Sequence, residues 1–77
     1  MSVTILYFAH LKDERKRDSE EIDFRNETIR ELYQRLFVYK TEPPAHLRVA
    51  VNCEYVDWGT QLVDGDEVAF IPPVAGG

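Results

Sequence analysis

The sequence predicts an α+β fold: a mixed sheet in the order strand-strand-helix-strand-strand, with one main helix packed on one face. Three observations carry this. The run from Val3 to Phe8 and the run from Glu67 to Ile71 read as strands, the first apolar on both parities. Glu21 to Arg25 alternates cleanly between polar and apolar. Between the two halves lies an apolar stripe of helical period that begins on a capping-box pattern.

The elements follow in order. Val3, Ile5 and Tyr7 share one face of the first strand, and Thr4, Leu6 and Phe8 share the other. The run Lys12 to Glu21 carries charges of both signs and reads as a solvated loop with room for a helical turn. In the second strand, Glu21 to Arg25, Ile22 and Phe24 point to the core. Thr28 and Glu31 form the capping box, and Ile29, Leu32, Tyr33, Leu36 and Phe37 form one stripe of the helix. Pro43-Pro44 requires the helix to end before them. Leu47 to Asn52 is a third strand, and Asn52-Cys53 turns into a short strand around Tyr55-Val56. Asp64-Gly65-Asp66 is a tight turn into the last strand, which Pro72-Pro73 stops. The first and last strands are the most apolar and are placed at the sheet's centre, adjacent and parallel. The domain spans residues 1–73, and residues 74–77 form a flexible VAGG tail.

Composition narrows the function classes. Seventy-seven residues make one domain with a modest core. One cysteine, Cys53, excludes an internal disulfide, and two separated histidines, His10 and His46, give no metal-ligand cluster. Fourteen acids against nine bases, net −5, argue against nucleic acid and against an anionic membrane surface. The start MSVTILYFAHLKDE lacks the pattern of a signal peptide, and no apolar run approaches a membrane span. A cytoplasmic setting is expected, where a lone thiol stays reduced.

Few residues suit catalysis. Asp64, Asp66 and Glu67 read as a turn with solvated acids in preference to a cation site. Cys53 has no neighbouring base and reads as an incidental exposed thiol. Trp58 either covers part of the core or marks a contact. By parity, the face away from the helix carries Thr4, Leu6, Phe8, Glu67, Ala69 and Ile71, with Arg48 and Ala50 nearby. Nothing is left to cover Leu6, Phe8 and Ile71 unless the loop Lys12–Ser19 folds over them, so this face is a candidate docking surface.

The tail supplies the other chemical feature. Pro72-Pro73 is stiff and projects Val74, Ala75, Gly76 and Gly77 over about 13 Å, at about 3.3 Å per residue. Two glycines lack Cβ atoms and suit passage through a narrow channel. The one functional group at the tip is the Gly77 carboxylate. It becomes a useful electrophile only after conversion to an acyl-adenylate, which replaces oxide by a good leaving group.

Three segments carry a family resemblance: YFAHL at Tyr7–Leu11, VAVNCEYV at Val49–Val56 and DGDEVAFIPPVAGG at Asp64–Gly77. With them the chain resembles the small sulfur-carrier subunits of molybdopterin synthase, which are ubiquitin-like β-grasp proteins. Cys53 departs from the family, where Gly or a polar residue often follows the Asn. The resemblance implies a non-catalytic, sulfur-donating subunit of a sulfurtransferase complex. An E1-like enzyme would use ATP to adenylate Gly77, and a sulfur donor of cysteine desulfurase or rhodanese type would convert it to a thiocarboxylate. No cofactor would be held permanently. The tail, Pro72, Pro73, Val74, Ala75, Gly76 and Gly77, would enter the large subunit, in a heterotetramer with two large subunits. Phe8, Tyr55 and Ile71 would sit against that partner, with Leu6 beside them. Parity independently exposes Leu6, Phe8 and Ile71, but not Tyr55. Three alternatives stay open: a sulfur carrier for thiamine or tRNA thiolation, a protein modifier joined through Gly77, and an interaction module with an inert tail.

Overall fold

The computed structural model describes residues 1–37 and 46–72, and of His10 the backbone only. Within them the chain runs β1 (Ser2–Tyr7), α1 (Ala9–Arg15), β2 (Ser19–Asp23), α2 (Ile29–Leu36), β3 (Arg48–Val51), β4 (Glu54–Val56) and β5 (Glu67–Ile71). The five strands form one sheet in the order β2-β1-β5-β3-β4. β1 and β5 are central and parallel, with Ile5 beside Val68 and Tyr7 beside Phe70. The outer pairings are antiparallel. This is the mixed sheet the sequence predicts, in the ubiquitin-like β-grasp arrangement that the resemblance implies.

The parity reading holds. Val3, Ile5, Tyr7, Val49, Val68 and Phe70 are buried on the helix side with Ile29, Leu32, Tyr33 and Phe37 from α2. Ile22 and Val51 pack at its margin. Aromatic rings fill the centre: Tyr33 lies edge-on to Phe70 with centroids 5.5 Å apart. Trp58 stacks on Phe70 at 5.8 Å with an interplanar angle of 9°, so it closes the core.

α2 starts as its sequence dictates. Thr28 Oγ1 accepts from the Glu31 amide, and Glu31 Oε1 accepts from the Thr28 amide. Two more first-turn amides, those of Ile29 and Arg30, donate to the carbonyls of Thr60 and Trp58. The helix ends at Leu36, where Phe37 leaves helical geometry at φ −120°, ψ 68°. Pro43-Pro44 lies outside the described residues.

β1 and β3 end one residue from the sequence reading, which leaves Phe8 just past β1, and two segments differ by more. The stretch expected as a solvated loop with room for a helical turn does hold one, as the end of a helix, α1, that begins earlier at Ala9, and the second strand begins at Ser19 and ends at Asp23. α1 docks through Leu11, which is fully buried and contributes about 2 kcal/mol. A single apolar residue just ahead of a charged run has no periodicity to read. The helix stops at Lys16, which adopts the left-handed conformation at φ 58°.

The turns carry the polar work. Val51 faces Glu54, so Asn52-Cys53 is a two-residue hairpin loop, with φ of 51° and 72°. The left-handed geometry disfavours cysteine at the second position. Cys53→Gly is therefore expected to raise stability by about 0.5–1 kcal/mol, read as a higher urea midpoint at unchanged slope. At the other turn, Gly65 sits at φ 88° and the acids bond to the chain itself. Asp64 Oδ1 accepts from the Ser2 amide at 2.8 Å, and Asp66 accepts from the Val63 amide and the Asn52 side chain. Those carboxylates serve the turn, and no cluster suited to a metal occurs among the described residues.

Candidate functional site

The face opposite α2 is open. Leu6, Phe8, Ala50, Cys53, Tyr55, Glu67, Ala69 and Ile71 line one shallow groove of about 260 Å³. Phe8 is 46% exposed and Tyr55 66%. Small residues make its floor: Ala50 on β3 pairs with Ala69 on β5. Larger residues make the walls, Leu6 and Phe8 at the β1 side and Tyr55 at the β4 side. The Arg48 guanidinium lies 5.8 Å from the centroid of the Tyr55 ring and supports that wall.

The charged segment does not cover this groove. Leu11 sends α1 into the core on the helix side. Lys12, Asp18 and Ser19 line a neighbouring cleft beside Leu6 and Phe8, and none of them reaches the Ala50–Ala69 floor. An uncovered apolar groove with a polar margin is the anatomy of an interface core and rim.

Of the predicted partner-facing residues, Leu6, Phe8, Tyr55 and Ile71 therefore meet in one place. Pro72 does not join them. It is buried, and lines a separate surface cavity with His46, Arg48 and Trp58, which shares Ile71 and Tyr55 with the groove. Pro73, Val74, Ala75, Gly76 and Gly77 lie outside the described residues. Tyr55 was within reach of the parity reading: a two-residue hairpin at Asn52-Cys53 pairs it with Ala50, already assigned to this face. The same register brings Cys53, read from sequence as incidental, to the groove's margin. Its thiol is free and exposed.

A second polar constellation lies on the helix side. The Tyr7 hydroxyl donates to Glu20 Oε2, and Arg15 donates to the same oxygen through Nε at 3.0 Å and Nη2 at 2.7 Å. Arg15 Nη1 also donates to the Leu36 carbonyl at the C-terminus of α2. Arg17 reaches Glu20 Oε1 at 3.2 Å. Burial disfavours the Glu20 carboxylate, yet the Tyr7 and Arg15 hydrogen bonds and the charges of Arg15 and Arg17 outweigh it. Its pKa falls below the ordinary glutamate value. Burial and the Glu20 contact push the Tyr7 hydroxyl well above the ordinary tyrosine range.

A carboxyl depressed on folding stabilises the fold above its unfolded pKa, about 4.3. That contribution is lost as pH falls through the folded value. Wild type is therefore expected to lose its stability advantage over Glu20→Gln as pH falls from about 5 through the depressed folded value. Urea titrations of both proteins across that range check this; an advantage that is independent of pH would contradict the assignment.

No helix among the described residues is long and apolar enough to cross a membrane.

Comparisons with known proteins agree with this geometry. Two curated relatives match almost end to end, and both are named molybdopterin synthase sulfur carrier subunit. The Mycobacterium tuberculosis protein is 36% identical, covering 100% of this chain and 99% of its own. The Escherichia coli protein is 32% identical, covering 97% and 99%. Among solved structures, SAMP1 from Haloferax volcanii superposes with a TM-score of 0.86 at 25% identity, covering all of both chains. The complex of subunits 1 and 2 of the molybdopterin-converting factor from Helicobacter pylori contains a chain matching at TM-score 0.69 and 28% identity, again covering 100% of both chains. A sequence model of the ThiS family matches residues 5–77, and with the fold and the full-length relatives it establishes that this chain belongs to the ThiS family.

Proposed function

We propose that this protein is a sulfur carrier for molybdopterin synthesis, and that it carries sulfur on Gly77. The observation that bears most weight is the open groove of Leu6, Phe8, Tyr55 and Ile71, because Ile71 is also the last residue of β5. The docking surface and the start of the cargo-bearing tail are thus covalently contiguous. A partner that seats on the groove receives the tail over a short path. The likeness to a subunit solved as part of a two-subunit complex supports the same assembly.

The chemistry follows from the terminal carboxylate. An E1-like enzyme transfers AMP from ATP to it and releases pyrophosphate. The terminal sulfur of a donor persulfide, on a cysteine desulfurase or rhodanese-type enzyme, attacks the acyl carbon and displaces AMP. A second thiol reduces the resulting acyl disulfide, leaving a thiocarboxylate on Gly77 and a new disulfide between the thiols. In the large subunit that sulfur attacks an electrophilic carbon of the cyclic pterin precursor, forming a thioester. Water then cleaves the acyl–sulfur bond, returning the Gly77 carboxylate and leaving a thiolate on the pterin. Two such transfers build the dithiolene, served by a heterotetramer with two large subunits. The chain itself holds no permanent cofactor in this cycle. A cytoplasmic setting suits its free, reduced thiol.

Intact-mass analysis tests the loading step. After incubation with activating enzyme, ATP and sulfur donor, the C-terminal peptide is expected to exchange one oxygen for sulfur. An unchanged peptide under conditions that load a known carrier would refute the reading. The likeness to SAMP1, named a small archaeal modifier protein, favours a second reading, a protein modifier joined through Gly77. It shares the adenylation step and separates by outcome, since conjugates of high mass would replace the thiocarboxylate.

A further inference from the structure

Phe8 is a wall of the groove, yet it belongs to no regular element. It is the N-cap of α1, in extended geometry at φ −129°, ψ 152°, and its side chain makes no capping bond. The next residue, Ala9, sits at φ 51° in the left-handed region. Alanine pays a steric cost there that glycine would avoid. A strained junction persists only where its surroundings over-determine it.

The surroundings here are specific. On the strand side, Tyr7 immediately precedes Phe8. Its ring is buried in the core, its hydroxyl donates to Glu20, and its amide donates to the Asp18 carbonyl at 2.8 Å. On the helix side, the Leu11 amide donates to the Phe8 carbonyl at 3.1 Å. α1 is then tied down by Arg15, which bonds both Glu20 and the Leu36 carbonyl and lies over the Tyr7 and Phe37 rings. Glu20 is the hub, with its side chain 10% exposed. All of these side chains are on the α2 side of the sheet, and none lines the groove.

We infer that Tyr7, Arg15 and Glu20 are positioning residues that clamp the strained Phe8–Ala9 junction from the far side of the sheet, so that Phe8 stands as a fixed wall of the docking groove. The inference rests on the docking reading of that groove. A preset aromatic wall binds without the cost of being ordered at the moment of association. The clamp therefore acts on affinity through the backbone, with no contact to the partner.

The test uses the full chain, its large subunit, and the variants Tyr7→Phe and Glu20→Gln. Each keeps side-chain shape: Tyr7→Phe removes the hydroxyl bond to Glu20, and Glu20→Gln removes the charge that holds Arg15 at the hub. Affinity is measured well below the melting temperature, where both variants are folded and a merely structural role leaves Kd unchanged. The expected result is a Kd raised about two- to tenfold, the cost of immobilising one large side chain. Phe8 ring signals in the NMR spectrum of the isolated, folded variants should also broaden or shift toward solvent-averaged values. Unchanged Kd in both variants, with wild type binding normally, would overturn the clamp and leave the carrier reading intact. Absence of wild-type binding would overturn the docking reading, and the clamp's effect on affinity with it. Unchanged Phe8 signals overturn the clamp whatever the partner does.

Discussion

Deletion of Gly77 is expected to abolish sulfur transfer while leaving the fold in place. In the proposed cycle the reacting carbon belongs to that residue, so no other contact compensates for its loss. Loss of product to the limit of detection is the expected magnitude, far outside the range produced by a weakened contact. Stability should hold within about 0.5 kcal/mol, because among the described residues the last member of the hydrophobic cluster is Phe70, seven positions before Gly77. Trp58, the single tryptophan, is stacked on Phe70 and reports on that core directly by fluorescence. Wild-type sulfur transfer by the deleted chain, or an unfolded spectrum, would each contradict the assignment.

Charge placed in the groove is the second large effect. Phe8→Asp and Ile71→Asp are each expected to weaken binding of the large subunit by about 2 kcal/mol or more, roughly thirtyfold in Kd, because a buried interface core tolerates no unpaired carboxylate. Phe8 gives the cleaner separation of affinity from stability. It is half in solvent already and occupies an N-cap where it makes no capping bond, and aspartate is a favoured cap. Phe8→Asp should therefore bind poorly while melting no lower than wild type. Ile71 pairs with Arg48 in the sheet and is half-buried, so its variant also loses some stability. Normal binding by a folded Phe8→Asp protein, measured by titration calorimetry, would remove the groove from the interface.

How much of this was legible beforehand depended on the range of the interactions. Thr28 and Glu31 announce the start of α2 because a capping box is contained in four positions. The alternation along β1 and β5 separates core from open face because parity is a local property. From it, Leu6, Phe8 and Ile71 follow as one exposed set. Tyr55 needed one further step, the two-residue register at Asn52-Cys53. What stayed hidden was long-range and polar. Lys12 to Glu21 looks solvated because its charges are of both signs and can pair among themselves. In the fold, Arg15 reaches the end of α2, and Glu20 turns inward to Tyr7. No spacing rule connects those positions. Leu11 likewise gave no periodic signal, since among the described side chains of α1 it is the one apolar group buried.

The central claim joins the groove and the tail in one function. Reconstitution tests it most directly: thiocarboxylated protein, the large subunit of molybdopterin synthase and the cyclic pterin precursor, assayed for the dithiolene product. Sulfur-dependent product that disappears with the Gly77 deletion and falls with Phe8→Asp is the predicted result. A fully loaded thiocarboxylate that binds no large subunit and yields no dithiolene would contradict it.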